Sequence, residues 1–76
     1  MGKMYSISGF IIAHRDLTGH QRLEMGKSTF GATAAEAWSR HMRIPDATGP
    51  DATAIRQAWS DRGYGPHRVT MMLREE

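Results

Sequence analysis

Between Tyr5 and Ala13 the apolar residues occupy both parities, with Tyr5, Ile7, Ile11 and Ala13 on one and Phe10 and Ile12 on the other. Alternation with a period of two is the mark of a strand, and apolar residues on both faces at its end predict a central place in a sheet. Gly9 interrupts the pattern where a bulge or a close neighbour is expected. "RDLTGH" then supplies turn residues, and "QRLEMGK" sets Leu23 and Met25 against Arg22 and Glu24. This predicts a hairpin whose second strand, poor in apolar residues and closed by Gly26 and Lys27, lies at a sheet edge.

The period changes after "STFG". Thr33 with Glu36 three residues on forms a capping-box pattern, which predicts a helix from there to about Arg43 with Ala34, Trp38 and Met42 along one stripe. Pro45 stops it. A second helix is expected to open at Pro50 and Asp51, to bury Ala52, Ile55 and Trp59, and to end at "DRGYG" with Gly63 in the left-handed position. Val69, Met71 and Leu73 alternate with Arg68, Thr70 and Arg74 as a last strand, placed beside the first. The expected fold is α+β, a three-stranded, mainly antiparallel sheet in the order β-β-α-α-β with two helices packed on one face.

"PDATGPDAT", Pro45 to Thr53, repeats four residues, and "AWS" flanks it on both sides. Thr33 stands five residues before Trp38 and Thr53 six before Trp59, so the copies are out of register. The first copy is expected to turn the chain and the second to open a helix, with Trp38 and Trp59 packing against one sheet.

Composition narrows the classes. The 76 residues form a single domain (1–76) with a thin core, since a chain of this size buries only about 60% of its unfolded surface. No Cys is present, which removes disulfides and thiolate chemistry. Ten basic residues against eight acidic ones give a net charge of +2, too mild for a dedicated nucleic-acid stripe. "YSISGFIIA" is too short and too interrupted to cross a membrane, and a soluble, cytoplasmic protein is expected.

Candidate chemistry is sparse. "MGKST" resembles the end of a phosphate-binding loop, but Gln21 stands where its leading Gly would be. His14, Asp16 and His20 flank one turn and could offer three metal ligands, yet a fourth would have to come from afar. No Ser or Cys nucleophile stands with a base, and His41 and His67 are isolated, so no catalytic residue, cofactor or metal site is assigned. The link from Ile44 to Pro50 is too long for a helix-turn-helix reader.

With both helices on one face, the other face of the expected sheet would show Phe10, Ile12, Arg22, Arg68, Met72 and Arg74 beside Ser6, Ser8 and Thr70. Exposed apolar residues among Arg mark a partner-binding surface. The competing reading covers these residues with the N-terminal segment as a second thin core.

"FGATAAEAW" resembles the strand, turn and capped helix of HicB-type antitoxin domains, which bind a toxin. Size, lack of Cys and element order resemble small phage and mobile-element accessory proteins, notably anti-CRISPR proteins. That resemblance implies a non-enzymatic protein that binds and inhibits a host assembly, such as a CRISPR-Cas effector, by occupying its surface. Many anti-CRISPR proteins are acidic DNA mimics, and the charge of +2 departs from that pattern. The alternatives are a small nucleic-acid-binding module that also uses Arg40 and Arg43, a HicB-like partner protein, and a homodimer that buries its sheet face.

Overall fold

The computed structural model describes residues 2–45 and 49–75. Strand β1 (Met4–His14) leads to helix α1 (Gly19–Gly26) and a 3-10 turn (Lys27–Thr29). Helices α2 (Ala34–Met42) and α3 (Pro50–Asp61) follow, then strand β2 (Tyr64–Arg74). β1 and β2 pair antiparallel along their whole length, from Met4 opposite Arg74 to His14 opposite Tyr64.

The first and last strands are therefore neighbours, as expected, but the three-stranded sheet in the order β-β-α-α-β is corrected. Among the described residues the sheet has two strands, and the order is β-α-α-α-β. The segment read as an edge strand is α1. Its start is fixed by a capping box in which Thr18 accepts from the Gln21 N–H and the Gln21 side chain accepts from the Thr18 N–H, satisfying two donors that a first turn leaves free.

The outer edge of β1 is closed by the turn that follows α1. Phe10 and Gly31 exchange backbone hydrogen bonds at 2.8 and 2.9 Å, and the Ile12 N–H donates to Thr29 Oγ1 at 2.9 Å. Thr29, itself buried, donates its hydroxyl hydrogen bond to the Gly26 carbonyl at 2.7 Å.

Residues of one parity on β1 share a face with residues of the same parity on β2, because paired residues face the same way. The even face carries Ile12, which packs with Ala37 and Trp38 of α2 and, around them, Phe10, Met42, Trp59 and Tyr64. The odd face carries Ile11, and α1 lies on it: a Cβ on Gly26 would stand 2.9 Å from Ile11 Cβ. Helices thus cover both faces at the His14 end, which is why both parities of β1 are apolar there.

Local signals hold in the helices. Thr33 caps α2 by accepting from the Glu36 N–H at 3.1 Å, while the Glu36 carboxylate takes the Ala32 N–H at 2.8 Å. Pro50 opens α3 behind Gly49, and Gly63 has φ +96°, a conformation in which a side chain is strained. In the expected stripe Ala52 is buried and Trp59 half-buried, but Ile55 is exposed at 44%. Asp46 and Thr48, read as turn formers, lie outside the described residues.

Candidate interaction arm

The helices reach only part of the way along the ribbon. From Ser8 back to Met4 and from Thr70 on to Arg74 the two strands project beyond them, with every residue exposed except the half-buried Met71. Together body and arm measure 48 × 26 × 15 Å.

The arm is amphipathic because its cross-strand pairs are sorted by face. On the odd face Tyr5 stands opposite Leu73, Ile7 opposite Met71 and Gly9 opposite Val69, an unbroken apolar sequence of rungs. On the even face the rungs are Met4 with Arg74, Ser6 with Met72, Ser8 with Thr70 and Phe10 with Arg68. Tyr5, Ile7 and Leu73 are 46%, 42% and 48% exposed, an unusual outlay of large apolar side chains for so small a chain. Ser8 and Thr70 join hydroxyls at 3.3 Å on the polar face. At the tip, Tyr5 donates its hydroxyl proton to the Glu75 carboxylate at 3.1 Å.

Towards the body the odd face ends in a groove. α1 lies against β1 and not β2, so a cavity of about 290 Å³ opens over β2, lined by Gly19, Arg22 and Leu23 on one side and residues 67–70 on the other. Arg22 donates to the Arg15 carbonyl at 3.3 Å through Nη2, and its Nε is buried without a partner among the described residues. Phe30 marks the limit over β1, for a Cβ on Gly9 would come within 2.6 Å of its ring.

The six residues expected to form a partner surface are thus divided. Ile12 is 1% exposed and belongs to the core, and Phe10 packs half-buried against the same cluster. Arg22 sits on α1, over the opposite face. Arg68, Met72 and Arg74 do share an exposed face, the even one. The more apolar face, with Tyr5, Ile7, Met71 and Leu73, was not singled out, although its period-two pattern is present in both strands. Deciding which parity is open required knowing that helices lie on both faces.

A second concavity, about 320 Å³, is lined by Arg40, His41, Arg43, Trp59 and Tyr64 together with Ser28 and Thr29 of the 3-10 turn. His41 makes edge contacts with Trp38 and Trp59, at 6.1 and 4.5 Å between ring centroids, and lies tilted over Tyr64 at 5.7 Å. Burial lowers its pKa below the usual 6.5, and its Nε2 has no partner among the described residues. Arg40 donates to the Phe30 carbonyl.

The turn read as a possible metal cradle does not assemble. His14 Nδ1 accepts from the Asp16 N–H at 3.1 Å and its Nε2 bonds the Arg62 carbonyl at 2.8 Å, so both ring nitrogens are engaged. No group of three or more potential ligands gathers among the described residues. No helix among them is long and apolar enough to cross a membrane. Comparison of the chain with protein-family models, with curated proteins and with solved structures gave no match.

Proposed function

We propose that this chain is a non-enzymatic interaction protein that works through its projecting arm, binding a larger protein assembly and occupying part of its surface. The observation that carries the reading is the arm itself: two strands extended past their helical cover with Tyr5, Ile7, Leu73 and Met72 exposed. A two-stranded ribbon is marginal in water and gains most from being covered, and large apolar residues beside Arg are the side chains that dominate interfaces. Arg68 and Arg74 on the even face would add oriented, charge-assisted bonds. Inhibition of a CRISPR-Cas effector in the host cytoplasm is the sharpest form of this proposal, with steric blocking favoured over DNA mimicry by the charge of +2.

The test is affinity capture from the native host with wild type and with two arm variants, Ile7→Glu on one face and Arg68→Ala with Met72→Glu on the other. A specific protein retained by wild type and lost with either variant, at unchanged far-ultraviolet circular dichroism, supports the arm. Identical capture by all three proteins rules it out.

A nucleic-acid reading rests on a different place, the concavity in which Arg40 and Arg43 flank Trp59 and Tyr64. Cations beside aromatic rings suit single-stranded backbones and stacked bases. Fluorescence anisotropy with labelled single-stranded DNA and RNA would show binding that weakens steeply with salt. No binding at low salt removes this reading and leaves the arm untouched.

A further inference from the structure

Which protein covers the odd face of the arm can be argued further, on the premise that the arm is a protein-binding surface. We propose that the occupant is a second copy of this chain, the two arms lying antiparallel, odd face to odd face, about a two-fold axis at the Ile7–Met71 rung.

The first ground is that the levels of the face are complementary under this operation. The axis places Ile7 over Ile7 and Met71 over Met71 of the second copy. One rung pair outward, Tyr5 falls over Gly9, a buried position already covered by the ring of Phe30, so that Tyr5 meets that ring, while Leu73 meets Val69. An aromatic residue at the tip thus faces an aromatic one at the edge of the body, and Leu73 a half-buried β-branched one.

Reach and charge give the second ground. Glu75 lies four residues beyond Met71 and His67 four residues before it, each about 13 Å along a strand at 3.3 Å per residue. The acidic tip of one copy therefore arrives at the groove of the other, beside Arg22, whose guanidinium makes a 3.3 Å bond to the Arg15 carbonyl and has a buried Nε without a partner among the described residues. Glu75 has the odd-face orientation this requires, since it accepts the Tyr5 hydroxyl.

Thickness supplies the third. Packed sheets are about 10 Å apart and a helix is about as thick, so a second arm fits the layer that α1 begins and ends against it. Pairing converts two marginal ribbons into a four-stranded, two-layer unit. It also leaves both even faces, with Arg68, Met72 and Arg74, turned outward for the larger assembly.

The experiment uses the absence of Cys from the chain. Met71→Cys places a unique thiol on the proposed axis and Met72→Cys one on the opposite face. With a short bismaleimide, Met71→Cys is expected to give covalent dimers at dilutions where Met72→Cys stays monomeric. Sedimentation equilibrium should return twice the 8.5 kDa chain mass for wild type. Ile7→Glu should weaken the dimer about a hundredfold or more, because its charge would be buried without a partner. Glu75→Arg should weaken it, and adding Arg22→Glu should restore it.

Equal cross-linking of the two Cys variants, or a wild-type monomer at the highest soluble concentration, overturns the inference. If that monomer still loses a captured protein on Ile7→Glu substitution, only the identity of the occupant is wrong. If Ile7→Glu changes neither mass nor capture, the odd face is no interface at all.

Discussion

His41 is the residue whose protonation the fold opposes. Held against Trp38, Trp59 and Tyr64, it has a pKa lowered by burial. At pH well above 6.5 it is neutral folded and unfolded, and contributes no pH dependence. As pH falls below 6.5 the unfolded chain takes up the proton first, so stability declines until the lowered folded pKa is reached. Melting followed by circular dichroism should show a smaller loss between neutral and mildly acidic pH in His41→Phe than in wild type. An equal loss would mean that His41 does not carry the effect. Thr29 is the second sensitive position, because its hydroxyl both accepts from Ile12 N–H and donates to Gly26. Thr29→Val keeps the shape but leaves the Ile12 N–H unpaired, and urea titration should show a loss of about 1–3 kcal/mol. Gly63→Ala combines a left-handed φ with a Cβ 2.6 Å from the His14 ring, and should cost at least as much.

Among the elements, α1 is the one whose existence depends most on its cap. It has eight residues, its Leu23 and Met25 are each 46% exposed, and only Gly26 in it is buried. Packing alone therefore contributes little, and Thr18→Ala should destabilise the protein by about 1 kcal/mol, seen as a lower urea midpoint. The same weakness explains why α1 read as a strand. Four residues alternating between apolar and charged satisfy a period of two, and so short a helix offers no repeat at 3.6 to compete with it. The deciding signal, Thr18 with Gln21 three residues on, is of the same kind as Thr33 with Glu36, which did locate α2. Missing α1 had a second effect. With helices expected on one side only, Phe10 and Ile12 were assigned to the open face together with Arg68, Met72 and Arg74. The parity grouping was right, since all five share the even face, but the body covers the first two, while Met72 and Arg74 are exposed on the arm and Arg68 at its base. α3 was located by Pro50 and Gly63, whereas Ile55 stands about 60° round the helix from Ala52 and beyond Trp59 at 3.6 residues per turn, at the exposed margin of the stripe, which the sequence pattern alone did not resolve.

At the scale of the molecule, a compact helical end carries a ribbon that no helix covers. The difference should be visible in hydrogen exchange. The N–H groups of Ile11 and Ala13, in the covered half, are expected to exchange slowly, and those of Tyr5 and Ile7, on the same pairing edge but in the arm, much faster at high dilution. Raising the protein concentration should slow Tyr5 and Ile7 selectively if a second copy covers them. Uniform protection along β1 would mean that the arm is rigid on its own. The sequence displayed the apolar residues of this arm plainly; that they stand outside the core is a matter of reach, set by two eleven-residue strands against helices too short and too clustered to span them.

The pairing of the first strand with the last also sets an order of events in time. Contacts across the ribbon join residues 48 apart in sequence at the helical end and 70 apart at the tip. Closing the first of these loops is the expensive step, while lengthening it from the first span to the second adds only about 0.3 kcal/mol of closure entropy. The ribbon should therefore close from His14 and Tyr64 outward, with the tip joining after the rate-limiting barrier. In stopped-flow chevrons, truncating Leu73 to Ala should speed unfolding and leave refolding unchanged, whereas Ile12→Val should slow refolding. The tip is then the first part of the chain to come undone, and each opening there frees two apolar strand edges at once.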